Sequence, residues 1–311
     1  MKAALAALCL AAALPAAAGT LGALTRHTFT DYCSTTAAFD AAQQDRLLRF
    51  AAVVRREWQA TGQAVALVSR TGTDLRRFGQ RFSHAGVALR EGAELPWAVR
   101  QLYYACDEQR PRLFDQGLAG FVLGSDNPRS GHVSLVVLPP GPQADALQRA
   151  ALDKPLGLAL VAPQYRANAH AFSSRYQNCN QWLAELLALA WRPAAPGLAP
   201  TGTALREAAQ QALREAGYEP DRLPLGSHWL MWAAGFVPLL TLDDHPPEDR
   251  QALQMRVSMP RGLEQWVRRQ VPQAQRIEIC HAEGRLVIRH GWSDLPEGCT
   301  PEPGDTVEML D

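Results

Sequence analysis

Asn178-Cys179-Asn180-Gln181-Trp182-Leu183-Ala184-Glu185-Leu186-Leu187-Ala188-Leu189-Ala190 is the stretch on which the reading of the fold turns. Trp182, Leu183, Leu186, Leu187 and Ala190 recur at helical spacing, and Pro193 ends the run. Cys179 then falls in the first turn of a helix. Unpaired N–H groups and partial positive charge at a helix start stabilise a thiolate, and the same N–H groups can donate to an oxyanion during acyl transfer. A thiol nucleophile needs a base as well, usually histidine.

Outward from this helix, the N-terminal side is sheet-forming. Asp40 to Thr61 places Leu47, Phe50, Val54 and Trp58 at helical spacing and stops at Gly62. Ala64 to Ser69, Ala85 to Leu89, Trp97 to Tyr104 and His132 to Leu138 read as strands, the last ended by Pro139-Pro140. Arg112 to Gly120, after Pro111, reads as a short helix or irregular link. On the C-terminal side a Pro/Gly-rich link, residues 193–201, leads to a helix from Leu205 to Ala216 that Gly217 terminates. Trp229 to Leu242 is apolar but too short to span a bilayer, and Gly235 and Pro238 interrupt it, so a buried segment is expected. Leu263 to Val271 is an amphipathic helix. Ile277 to Cys280 and Arg285 to Arg289 form a hairpin around Glu283-Gly284.

Among eight histidines, His84 is the best placed to serve Cys179. Ser83-His84-Ala85-Gly86-Val87 puts it at the mouth of a strand, with small residues after it that allow close approach. His170, in Asn168-Ala169-His170-Ala171-Phe172, is the competing base, able to reach the thiol or line a groove if its loop folds back over the helix start. Ser83-His84-Ala85-Gly86-Val87 followed by Tyr176-Gln177-Asn178-Cys179-Asn180 is similar to the circularly permuted branch of the NlpC-type papain-like superfamily, in which the histidine strand precedes the cysteine helix. Ser69-Arg70-Thr71-Gly72, Tyr104-Ala105-Cys106-Asp107, Gln181-Trp182 and Val257-Ser258-Met259-Pro260 further make the chain resemble a bacterial exported family, domain of unknown function 2145. The papain-like resemblance implies Cys179 as nucleophile, His84 as base and a polar residue on the next strand to orient the imidazole. Gln101 is the neutral amide on that strand, and a plain surface role for it stays open. His170, Asn178 and Asn180 complete the candidate site as binding residues.

Met1-Lys2, the apolar run Ala3 to Leu14, Pro15 and Ala16-Ala17-Ala18 have the layout of a secretory signal cleaved after Ala18. Of six cysteines, Cys9 leaves with the signal, and Cys33, Cys106, Cys179, Cys280 and Cys299 remain. Cys280 and Cys299 can close the hairpin segment, Cys33 and Cys106 can tie the N-terminal segment to a sheet, and Cys179 is then unpaired. The 31 Lys+Arg balance the 31 Asp+Glu, which gives no basic footprint for nucleic acid. Asp243-Asp244-His245 with Glu248-Asp249 lacks regular ligand spacing and reads as a solvated acidic loop; no metal and no cofactor is expected. The expectation is an α+β protein: signal 1–18, permuted papain-like core 19–192 with an antiparallel sheet packed on the cysteine-bearing helix, and an extension 193–311 containing the hairpin. Such a protein would be periplasmic or secreted, with no membrane span after signal removal. It would act as a thiol hydrolase or acyltransferase on an amide or ester, a cell-envelope component among the candidates. The alternative is a non-catalytic binding or envelope-maintenance protein of the same fold.

Overall fold

Asp40 opens the first helix as its cap: its side chain accepts from the Gln43 N–H, and the Gln43 side chain accepts from the Asp40 N–H. The computed structural model describes residues 39–92, 94–192 and 202–310, so the proposed signal, Cys33 and the 193–201 link lie outside the described residues. Helix α1 (Ala41–Ala60) buries Leu47, Phe50, Val54 and Trp58 as one stripe. Strands β1 (Val65–Arg70), β2 (His84–Glu91), β3 (Pro96–Ala105) and β4 (Arg110–Gly117) follow, then the short helix α2 (Leu118–Leu123) and strand β5 (Ser130–Val137). Helices α3 (Pro142–Leu152) and α4 (Lys154–Ala159) lead to the paired short strands β6 (Gln164–Tyr165) and β7 (Tyr176–Gln177). Beyond them come the cysteine helix α5 (Cys179–Trp191), helix α6 (Gly202–Glu215), strand β8 (Asp221–Pro224), helices α7 (His228–Ala234) and α8 (Pro247–Gln251), strand β9 (Gln254–Val257) and helix α9 (Pro260–Gln270). Strands β10 (Gln275–Ala282), β11 (Arg285–His290) and β12 (Thr306–Met309) close the chain.

Eight strands form one sheet in the order β12-β11-β10-β5-β1-β2-β3-β4, antiparallel at every pairing. The molecule is therefore mixed α+β with a large antiparallel sheet. The hairpin expected near the C-terminus forms, with Glu283 and Gly284 both at positive φ as its two-residue turn requires, and β10 pairs with β5 so that these strands extend the sheet. Residues 112–120 depart from the expected helix or link, since Arg110 to Gly117 is a full strand paired with β3. A proline such as Pro111 is tolerated on the outermost strand, where a nitrogen that faces away from the neighbouring strand removes no ladder hydrogen bond.

Side-chain alternation sorts the strands onto two faces. Ala66, Val68, Ala88, Val99, Val133, Leu135, Ile277 and Ile279 pack with Phe50, Val54 and Trp58 of α1 and with Phe121 of α2. The opposite face is covered by α3 and α5, which pack against β1, β2 and β3. There the Arg100 guanidinium donates to the Ala151 carbonyl of α3, and Gly157 lies between Leu113 of β4 and Trp182 of α5. Helix α5 is buried throughout Cys179 to Ala188, as a helix with apolar residues on every side must be. Its one carboxylate, Glu185, is fully buried and meets Arg206 of α6 through two hydrogen bonds of 2.8 Å, while Gln177 and Gln210 donate to it at 2.7 and 2.8 Å. Arg206 also donates to the Ser173, Ser174 and Tyr176 carbonyls, which fixes the loop leading into Cys179.

The fourteen-residue apolar segment is not buried as expected. Helix α7 within it has no buried residue, and Trp229 and Phe236 are each 70% exposed. Its apolar excess exceeds what the small β8–β9 platform can cover: Leu239 is buried, and Met231 and Leu242 pack, with Leu225, on Leu223, Met255, Val257 and Met259.

Candidate functional site around Cys179

Cys179 is the first residue of α5, and Asn178 is its cap: the Asn178 Oδ1 accepts from the Gln181 N–H at 2.7 Å. The same amide donates to the Ala167 and Ser258 carbonyls, at 3.2 and 3.4 Å, so the helix start is pinned to two distant segments. Asn180 donates to the Ser83 carbonyl at 3.2 Å, which sets the start of α5 beside the residue that precedes His84. Both asparagines expected at the site are therefore present as positioning groups, each almost fully buried.

The thiol itself is 5% exposed and is the free cysteine of the described chain. Cys280 and Cys299 form the expected disulfide, and Cys106 is also disulfide-bonded. Burial pushes the thiol up to about 11 from its ordinary 9.0. The Tyr165 hydroxyl, the N–H groups of Asn180 and Cys179 and the charge of Arg70 all act in the lowering direction, and burial outweighs them. Tyr165 in turn lies against Tyr104, ring centroids 5.5 Å apart, on the sheet face covered by α5.

His84 is held on the other face. Its ring lies 5.6 Å from that of Tyr103 and 5.8 Å from that of Phe121, the α2 residue that packs with α1. Gln101 accepts from the imidazole; because the Gln101 amide nitrogen is engaged with Gln116 Oε1 at 2.8 Å, its oxygen faces His84 and the proton resides on Nε2. Gln101 is therefore a buried partner of the imidazole on the neighbouring strand and not a surface residue. Burial, followed by the Arg70 charge, drives His84 down to about 3, so the ring is neutral at physiological pH. No hydrogen bond joins the imidazole to the Cys179 thiol, and α5 and the His84 ring sit on opposite sides of β2 and β3.

Arg70 is the group with influence on both residues, and its side chain was not anticipated at the site. Its guanidinium stands 5.3 Å from the Phe121 ring centroid and close against Gly72 and Gly124, where an added Cβ would come within 2.8 and 2.6 Å of it. The available signal was an arginine at the end of an apolar strand, Ala66-Leu67-Val68-Ser69-Arg70, followed by a glycine two residues on. Tyr165 left no signal comparable with the Cys and His patterns.

His170 belongs to a separate group. Its backbone N–H donates to Asp244 at 2.9 Å, its Nδ1 accepts from the Phe172 N–H at 3.3 Å, and its ring centroid is 5.6 Å from that of His245. Burial, then His245 and Arg256, lower it to about 4. Asp244 and His245 are buried against this loop, which corrects the expectation of a solvated acidic loop there: His245 Nε2 donates to the Asn168 carbonyl at 2.8 Å. Cavities of about 290 Å³ beside Arg81 and Phe82 and about 400 Å³ beside Pro142 and Trp191 open elsewhere, and neither is lined by Cys179 or His84.

No curated protein and no solved structure matches the chain. A family model does match, over residues 57–267, a span that holds Arg70, His84, Gln101, Tyr165, His170 and the whole of α5. By that match, which takes in well over half the chain, the protein belongs to the family described as an uncharacterized protein conserved in bacteria (DUF2145).

Proposed function

We propose that the chain is an exported, non-catalytic binding protein of the bacterial cell envelope, built on the permuted papain-like arrangement, with Cys179 as a structural thiol. The observation that carries this reading is the placement of the thiol. It is buried, directed to Tyr165, held up near 11, and on the sheet face opposite His84. A nucleophilic cysteine needs the reverse: a depressed pKa, partial exposure and a base within hydrogen-bond reach. The papain-like arrangement is supported by the antiparallel sheet, by the histidine strand β2 preceding the cysteine helix in the chain, and by α5 packing on β2 and β3.

One observation favours the second reading, a thiol hydrolase or acyltransferase acting on an amide or ester. The His84–Gln101 hydrogen bond reproduces the orienting pair such an enzyme uses, and Cys179 does occupy the first helical position. Alkylation separates the two. Iodoacetamide at pH 7 should modify Cys179 in the native protein at least 100-fold more slowly than in the same protein unfolded in urea, as followed by peptide mass spectrometry. A native rate equal to or above the unfolded rate supports the hydrolase reading and sinks the structural one.

A further inference from the structure

Five of the large hydrophobic side chains left exposed in the described chain, Trp229, Leu230, Trp232, Phe236 and Val237, come from the single segment that carries α7. They form one surface: Trp229 stacks on Trp232 with centroids 4.7 Å apart, and Phe236 meets Trp232 edge-on at 4.7 Å. Soluble proteins seldom leave so concentrated an apolar patch without a partner for it.

Three further features fix the chemistry of that partner. From Leu223 to Leu242 the chain has no Lys, Arg, Asp or Glu, so the surface offers nothing to an acidic or basic partner. Five main-chain donors of the segment find acceptors within it: Leu230 N–H donates to Ser227 Oγ, Met231 to the Ser227 carbonyl, Gly235 to Trp232, Phe236 to Ala233 and Val237 to Ala234. Entry into an apolar medium therefore strands no main-chain donor among these residues. The indole N–H groups of Trp229 and Trp232, by contrast, donate to nothing within the described chain, and they suit a layer that offers ester and phosphate oxygens just above hydrocarbon. Met231, Leu225 and Leu242 anchor the segment on the β8–β9 platform, and the residue after β9, Ser258, accepts from Asn178 at the start of α5.

We infer that the Trp229–Trp232–Phe236 surface inserts into the interfacial layer of a lipid bilayer and holds the protein on a membrane surface. No helix among the described residues is long and apolar enough to cross a membrane, so this is attachment from one side. The inference rests on the binding reading above and gives it a partner.

Flotation of the purified full chain with vesicles of pure dioleoylphosphatidylcholine tests it. Wild type should float with the vesicles in low salt and in 0.5 M NaCl alike, and the variant W229S/W232S/F236S should float at least tenfold less. Wild type that stays unbound, a variant that floats as well as wild type, or binding confined to anionic vesicles and lost in salt overturns the inference. So does a dimer, seen by light scattering, that the triple substitution disperses, since the surface would then be covered by a second copy. Quenching of wild-type tryptophan fluorescence by brominated phosphatidylcholine is expected independently of how the variant folds, and its absence overturns the inference. Failure in these assays leaves the slow alkylation of Cys179 standing, so the two proposals fail separately.

Discussion

A cysteine at a helix start is pulled in opposite directions, and in this protein burial wins. The N–H groups of Asn180 and Cys179, the Tyr165 hydroxyl and the Arg70 charge all favour the thiolate, yet the thiol ends near 11 because almost none of it meets water. Gly86 illustrates how tightly the neighbouring strands are drawn together: a Cβ there would stand 2.8 Å from the Arg100 carbonyl oxygen and 2.8 Å from Val99. Gly86→Ala should therefore destabilise the fold by about 1–3 kcal/mol, since backbone rather than a flexible side chain must yield, and a urea midpoint unchanged from wild type would refute this. At this scale much of the site was legible. Cys179 in the first turn follows from helical spacing and Gln101 as acceptor for His84 from the papain-like resemblance, whereas Asn178, expected as a binding residue, is the cap of the helix. The face was not legible, because His84 and Gln101 share a side of the sheet by alternation alone, whereas the side that α5 covers depends on packing among elements distant in sequence.

Among the elements, α5 carries its own warning in the sequence, a glutamate amid apolar neighbours. Glu185 requires a cation, and Arg206 of α6 supplies it with both partners almost wholly buried. Removing one partner of such a pair leaves an uncompensated charge, so Arg206→Met should cost about 3–5 kcal/mol, while adding Glu185→Gln to it should recover a large part of the loss. Chemical denaturation of the two variants checks this, and a double variant no more stable than Arg206→Met would contradict it. Strand β4 and helix α7 escaped the sequence for different reasons. Proline is a strong strand breaker except at a sheet edge, and edge position is a property of the assembled sheet. Apolar runs are normally buried, and α7 is exposed because its platform has only two short strands to offer.

At the scale of the whole molecule, three histidines are buried in the neutral state: His84 near 3, His170 near 4 and His281 near 4. Each lies below its unfolded value of about 6.5, so unfolding takes up protons between those limits. The stabilisation is fully present above pH 6.5 and drains as pH falls toward 4, with His84 and His281 each contributing up to about 1.4 kcal/mol per pH unit at the steepest point. Glu278, held near 2 by His132, Arg276 and Arg81 against the opposing effect of burial, adds to the loss below its ordinary 4.5. Denaturation midpoints measured from pH 7.5 to 4.5 should fall steadily, and a flat profile would contradict the neutral burial of these rings.

Whether Cys179 is a structural thiol or a nucleophile is decided by the pH dependence of its alkylation. With Cys179 ionising near 11, its reaction rate in the native protein should climb about tenfold per pH unit through pH 10 without a plateau. A rate that levels off below pH 8 would mean a thiolate stabilised at neutral pH, and Cys179 would then have to be read as a nucleophile.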